Sequence, residues 1–566
     1  MLWRLLLILF MLCQSTLNGQ QLNWEWGSLQ RGSGTLMHIL AHQQQQFSTV
    51  HATNQLGGSS FALTQYEALT PTSSTKIKPV TSEGFGYYQQ TLRFNNQHGV
   101  FIADRNGKEM KLFLKVLDAE LNIVSENEIL SYTDTRPNAV PEFNLLQAPN
   151  REFFVAYYQI PGKRNGVDTY GYQIFNQALQ SVDGGEYSLP FDANLSSIED
   201  YFLTNNGEFF VGVIELSAIE NQGIRVRKSF KNLHVYQPKN GNLIDFTFEL
   251  EGKRISNFVL NAQKADQLTL FGIYSNNEWN GTQDGFFSAQ VDLQKDTVKA
   301  LGFIPFSPQI MLSEHTPSEQ VRLQRKLDRQ ALDPQLSRYE VRDIFTLTDG
   351  SFVGSIEKFY IYTNTTYNNQ TGQRMTTNYY YYNDIVAFCI DSLGQLRWEN
   401  RIPKIQVSVN DYGPFSSYAS FTDATTLNFI FNDTKANYDA NGLFINDLNE
   451  VATFSLSKNR NVGAWVQINL QTGQMQRQIS HERSNENILL VPKAFEFDFK
   501  NPGLYTYGVL GPQEKFGYIH LQTAPWCDCF FSYRCSFGLV QARLAKHQQL
   551  LSSWVKDRTT TTATPT

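Results

Sequence analysis

Ile385 to Arg401, IVAFCIDSLGQLRWENR, is the stretch whose reading decides the fold. It opens with the unbroken apolar run Ile385 to Ile390, breaks at Asp391-Ser-Leu-Gly394, and resumes as a second, alternating strand. Successive side chains of a strand point to opposite faces, so this is an apolar strand, a turn and a half-wet strand. Gly394 falls where a tight hairpin needs the positive φ that glycine reaches without steric cost. The same unit returns at Trp465 to Gln478 (WVQINLQTGQMQRQ) and Leu233 to Glu249 (LHVYQPKNGNLIDFTFE), with Gly473 and Gly241 at the equivalent place. Fainter copies run over residues 112–129, 170–187 and 286–303.

Most of these hairpins follow another strand pair, as at Arg151 to Ile160 (REFFVAYYQI), Gly207 to Leu216 (GEFFVGVIEL) and Gly350 to Tyr360 (GSFVGSIEKFY). Four strands recurring every ~50 to 60 residues is the signature of a β-propeller blade. The chain reads as an all-β propeller of about seven blades over residues 21–522, within a span of six to eight. Two stacked β-sandwiches would give a similar run of short strands. One segment, about 314–336, breaks the pattern. Thr316-Pro-Ser-Glu319 is a capping box with proline at the first helical position, so a helix is expected over 317–332, ending at Asp333-Pro334. Val321, Leu323 and Leu327 give it a thin apolar stripe.

Composition agrees with this reading. Apolar residues are 41%, charged residues 18% and aromatics 13%, including 41 Phe and 27 Tyr, which favour pleated surfaces over helices. A net charge of −6 with 47 scattered basic residues leaves no concentrated stripe for a phosphate backbone, so nucleic acid is set aside. Residues 1–20 read as an export signal, with Arg4 ahead of the apolar run Leu5 to Leu12. The run is shorter than the ~20 residues that span a bilayer, and no later stretch is long enough, so an exported chain without a transmembrane segment is expected. Cys13 stands where a lipid-modified cysteine would, but it follows Leu12 where such sites take a small residue. Beyond the signal the cysteines are Cys389, Cys527, Cys529 and Cys535, which confines any disulfide to the far C-terminus. From 523 to 566 the strand rhythm stops and the chain ends in a threonine-rich run. This is read as an irregular tail, or as an artefact of the reading frame.

At Asp391, Gly394 and Trp398 the unit resembles a blade ending of pyrroloquinoline-quinone-type propeller repeats. Tyr379 to Ile385, Ile402-Pro403-Lys404, Asn410-Asp411, Ser416-Ser417-Tyr418, Phe431-Asn432-Asp433 and Trp24-Glu25-Trp26 together resemble a group of uncharacterised secreted proteins of Bacteroidetes type. That resemblance implies export and a propeller fold, and it carries no activity.

Catalytic signatures are missing: there is no Gly-x-Ser-x-Gly elbow, phosphate-binding Gly-Lys loop or His-Glu-x-x-His helix. His38 and His42 have the spacing of two metal ligands on a helix, with His51 nearby. Ordinary core histidines are the simpler reading. Asn437, Asp439 and Asn441 before Gly442 put oxygen side chains at positions one, three and five, as calcium loops do. Position twelve is Leu448, with Asp447 or Glu450 as substitutes, and a plain Asx turn accounts for the same residues. No other cofactor is expected. Four consecutive tyrosines, Tyr379 to Tyr382, lead into Asn383 and Asp384. Alternation sends two rings to each face, so Tyr380 and Tyr382, or else Tyr379 and Tyr381, form an amphipathic platform with Asn383 and Asp384 for stacking on sugar or peptide. The expected function is therefore an exported, non-catalytic binding module for a glycan or surface protein. The alternatives are a funnel-site enzyme, quinoprotein-like or glycan-active, and a structural envelope component.

Overall fold

The computed structural model describes residues 22–521, apart from 43–45, 56–57, 95–96, 137, 163–165, 220–226, 240, 265, 277–281, 330–335, 368–369, 371, 446–450 and 499–502. The expected signal peptide, Cys13, the tail and its three cysteines lie outside the described residues, as do Asp447, Leu448 and Glu450. Among the described residues Cys389 is the one free cysteine, and it is buried. No described helix is long and apolar enough to cross a membrane.

Apart from two small two-stranded pairs, the described strands form eight successive sheets, each built on four antiparallel strands. Blades 1 to 7 begin at Thr35, Tyr87, Asn144, Ser196, Arg254, Tyr339 and Ala419. Blade 8 is assembled from both ends of the chain. Its inner strands are Leu489–Leu490 and Glu496–Asp498, followed by Gly503–Leu510 and Gln513–His520, and its outermost strand is Asn23–Trp26.

Closure into a ring follows from the packing. Eight buried clusters lie between successive blades, where an open row of eight sheets would have seven. The eighth joins Ile39, Phe47 and Tyr66 of blade 1 to Tyr505, Phe516 and Tyr518 of blade 8. A buried polar clasp spans the same seam: His51 meets Glu514 at 2.9 Å, and the Tyr507 hydroxyl donates to Glu514 at 3.1 Å. Closure removes the sandwich alternative.

Eight blades stand where about seven were expected, and the turn chemistry explains the difference. Gly241, Gly394 and Gly473 all have positive φ, as the clear repeats required. In the fainter repeats the left-handed position is held by Leu121, Leu179 and Asp296. In blade 1 the outer hairpin turns on Ala68 (φ 44°) and Leu69 (φ 63°), with no glycine, asparagine or aspartate to mark it. Its last strand, Thr70–Ile77 (TPTSSTKI), is mostly exposed and nearly devoid of apolar residues. The outer hairpin of that blade therefore carries no legible turn signal.

Between blades 5 and 6 lie two helices, α1 (Pro308–Ser313) and α2 (Pro317–Asp328). The capping box of α2 is formed as expected, with Glu319 accepting from the Thr316 N–H at 3.1 Å. Helix α1 was not foreseen. It begins at Ser307-Pro308 and buries Ile310 and Met311. No residue of α2 is buried and Val321 is exposed, so the thin stripe covers little. The expected stop at Asp333-Pro334 lies outside the described residues.

Candidate functional site

The inner strands of blades 6, 7, 8 and 1 surround a cavity of about 520 Å³ that also takes in the loop 411–418 and the turn 491–496. Its wall is aromatic, with Tyr382, Tyr412, Phe415, Tyr418, Phe495 and Tyr507, and it carries the cations Arg342 and Lys493.

Behind this wall is a buried charged network. Glu357 and Lys404 are 0% and 1% exposed and meet at 2.8 Å. Lys404 also donates to the Tyr382 carbonyl at 2.8 Å and to Gln406 Oε1 at 3.1 Å. Glu357 accepts in addition from Arg342 Nε at 3.1 Å and from the Ser417 hydroxyl at 2.8 Å. Burial alone would raise the Glu357 carboxyl; Lys404 and Arg342 outweigh it and hold the group below its ordinary value. Buried charges persist only when paired and hydrogen-bonded in this way. The network pins the 403–418 segment to blade 6 and sets the far wall of the cavity.

The loop Asn410–Ser417 is shaped by strain. Asn410, Tyr412 and Ser417 have φ of 56°, 60° and 68°, beside Gly413 at 60°. Left-handed backbone at a bulky residue such as Tyr412 costs about 1 kcal/mol or more and is concentrated at ligand sites. Here it turns the Tyr412 carbonyl inward, where it accepts from the Tyr382 hydroxyl at 2.9 Å and from Lys493 Nζ at 3.2 Å. Lys493 stands 4.1 Å above the Tyr382 ring. Burial pushes its ammonium down to about 7, with Arg342 and Lys404 adding to that and Glu357 and Asp411 opposing it.

The tyrosine run divides between two faces. Tyr380 and Tyr382 are buried, Tyr380 against the Tyr412 ring at 4.9 Å and Tyr382 in the cavity wall. Tyr379 and Tyr381 are half-buried on the opposite face. There they pair with Tyr362 and Tyr360 across a ribbon that runs on past the neighbouring strand, and Tyr360 and Tyr381 stack at 4.5 Å. Asp384 does not share an exposed rim with them. It is buried, accepts from Arg401 at 2.9 Å and from the Lys404 N–H at 3.0 Å, and so clamps the blade. Asn383 is half-buried and receives the Gln406 N–H at 3.4 Å. Of the four expected ligand residues, only Tyr382 lines the cavity.

Two of the three expected calcium ligands, Asn437 and Asp439, are occupied by protein groups. Asn437 is fully buried; its amide donates to Asp433 at 2.8 Å and to the Ala452 carbonyl at 3.1 Å, and its oxygen accepts the Ala452 N–H at 2.8 Å. Asp439 Oδ1 accepts the N–H groups of Asn441 and Leu443, both at 2.9 Å. That is the geometry of an Asx turn, with Asn441 and Gly442 at its tip. His38 sits in the middle of the strand Thr35–Ala41 and His42 just past its end, and four extended residues span ~13 Å, too far to share a metal. His38 lines the cavity; burial takes it down to about 4. No described group of three or more His, Cys, Asp or Glu side chains is placed to hold a metal.

Sequence reasoning missed Lys493, Arg342 and Tyr412. An inward glutamate in the otherwise apolar strand GSFVGSIEKFY was the available signal, since a buried acid demands cations nearby.

No family model matches the chain, and no curated protein does. Among solved structures the chain is similar to the WD40 domain of SCAP from fission yeast, with 11% identity, 89% of this chain, 98% of that one and a TM-score of 0.32. It is also similar to the β-propeller domain of the Trilobed protease from Pyrococcus furiosus, with 10% identity, 71% and 90% coverage and a TM-score of 0.32. A protein of unknown function from Bacteroides caccae shares 10% identity over 62% of this chain and 93% of that one, with a TM-score of 0.25. Likenesses at this level transfer neither a site nor an activity.

Proposed function

We propose that this protein is an exported binding module that holds a saccharide-sized ligand in the cavity shared by blades 6, 7, 8 and 1. The observation that carries this reading is the convergence of aromatic rings from blades 6 and 8 and a strained loop on one cavity of about 520 Å³. That volume suits a small ligand, and ring faces beside hydroxyl and charged groups are what a sugar's apolar face and its hydroxyls engage. Saturation-transfer NMR against neutral mono- and disaccharides tests it. Sugar-ring signals are expected with the wild-type protein and should vanish in Phe415→Ala; silence across the set removes the reading.

The outer ribbon supports a second reading, contact with a larger glycan or a surface protein. Tyr360, Tyr362, Tyr379 and Tyr381 share one face of it, with Arg338 placed 4.5 Å from the Tyr360 ring. Replacing Tyr362 and Tyr379 with alanine should then abolish retention on a surface glycan without lowering the melting temperature.

A further inference from the structure

We propose that the cavity selects saccharides that carry a carboxylate, and that Lys493 is the residue that recognises the acid. This rests on the cavity being the saccharide site. Lys493 lies on the turn Pro492–Ala494 of blade 8 and lines the cavity beside Tyr382 and Tyr412. An ammonium has three donors, and beside its contact with the Tyr382 ring the described hydrogen bond of Lys493 is the one to the Tyr412 carbonyl. Among the described residues no carboxylate lies within ion-pair distance of it. The nearest network acid, Glu357, is already matched by Lys404 and Arg342.

The acids around the cavity do not fill that role. Glu514 is held by His51 and Tyr507, Glu496 by Arg151 at 3.2 Å, Asp343 receives the Ser420 hydroxyl, and Asp411 receives the Gly413 N–H at 3.0 Å and acts on Lys493 only from beyond ion-pair distance. An incoming carboxylate therefore finds its counter-charge at Lys493, with Arg342 adding to the positive side of the wall. The aromatic ring beneath Lys493 keeps water off one side of the ammonium, which strengthens a charge-assisted hydrogen bond made on the other.

The cavity should be pH-sensitive in one direction. In the empty protein Lys493 loses its proton around pH 7. A bound carboxylate favours the ammonium, so acid recognition is full below that pH and weakens as pH rises through it. His38, on the same wall and neutral well above pH 4, adds no second transition in this window.

Glucuronate, glucose and glucosamine share a ring and differ in charge, so calorimetric titration of the three against wild type, Lys493→Met and Lys493→Arg isolates the inference. Glucuronate should bind about tenfold more tightly than glucose, the ratio one charge-assisted hydrogen bond supplies, and glucosamine more weakly than either. Lys493→Met should bring glucuronate down to the level of glucose, and Lys493→Arg should keep the preference but lose its fall above pH 7. Equal binding of glucose and glucuronate, or a preference that survives in Lys493→Met, overturns the proposal while leaving the saccharide site standing. Binding of none of the three overturns the saccharide reading itself.

Discussion

Tyr382 and Asp384 lie two residues apart on one strand, but the register shifts between Tyr382 and Ile385, and one ring lines a cavity while the other side chain clamps Arg401. Alternation was legible from the sequence because it is a local property of the strand. What each face meets was not, because Glu357, Lys404 and Lys493 come from segments far apart in the chain. The network that Glu357 and Lys404 form with Arg342 is the most consequential residue-scale feature. Lys404→Met should cost about 3–5 kcal/mol in urea unfolding, because Glu357 is left buried with one cation fewer. Acid should act in the same direction. The folded-state value of Glu357 lies below its ordinary 4.5, so its contribution is complete above that pH and disappears as pH falls through the lower folded value. Asn437 makes a similar case. With three buried hydrogen bonds spent on the protein, Asn437→Ala should cost about 1–3 kcal/mol equally in calcium and in chelator. A loss confined to calcium-free buffer would support the metal loop.

The hairpin turn is the element that made the fold readable, and its chemistry also marks where reading stopped. A glycine turn between apolar strands announces itself, whereas Leu121, Leu179 and the pair Ala68-Leu69 adopt the same left-handed backbone with residues that signal nothing. The glycines are not equivalent either. A Cβ on Gly394 would meet open space, but one on Gly473 would lie 2.6 Å from Trp398 Cγ. Trp398 leans from blade 6 onto the turn of blade 7, where its indole N–H donates to the Leu470 carbonyl at 2.9 Å and Asn400 donates to the Gly473 carbonyl at 2.8 Å. The Asp-Gly-Trp spacing in the deciding stretch thus joins a turn to an inter-blade contact. Gly394→Ala should cost about 1 kcal/mol, the backbone penalty alone. Gly473→Ala should cost measurably more, because the Trp398 ring must also shift. Equal losses in thermal or urea melts would show that the contact between the blades contributes nothing beyond backbone strain.

At the scale of the whole ring, stability depends on the seam where blade 8 is completed by Asn23–Trp26. The strand is short, but its register against residues 517–520 is unbroken, and Trp24 and Trp26 stack at 5.4 Å while packing beside His481 of blade 7. Removing residues 22–26 exposes the edge of Gln513–His520 and uncovers part of the cluster containing Phe495, Leu504 and Ile519. Unfolding should then begin at blades 8 and 1, seen as early loss of amide protection at residues 503–520 and a lower melting temperature. The same geometry supplies a control for chain connectivity. Asn23 pairs with His520 in antiparallel register, so Leu521 and Leu22 lie at adjacent ends of neighbouring strands. A tight Asn-Gly turn joining them is the short connection such a pair accepts. A permuted chain that begins at Gly34, runs to Leu521 and continues through that turn into residues 22–33 makes blade 8 from one continuous segment. It should keep the melting temperature of the parent within a few degrees, since every inter-blade contact is retained and only the loop to blade 1 is cut. If the permuted chain melts as low as the truncated one, the covalent link from Trp26 into blade 1 holds the ring together, and strand pairing and packing at the seam do not.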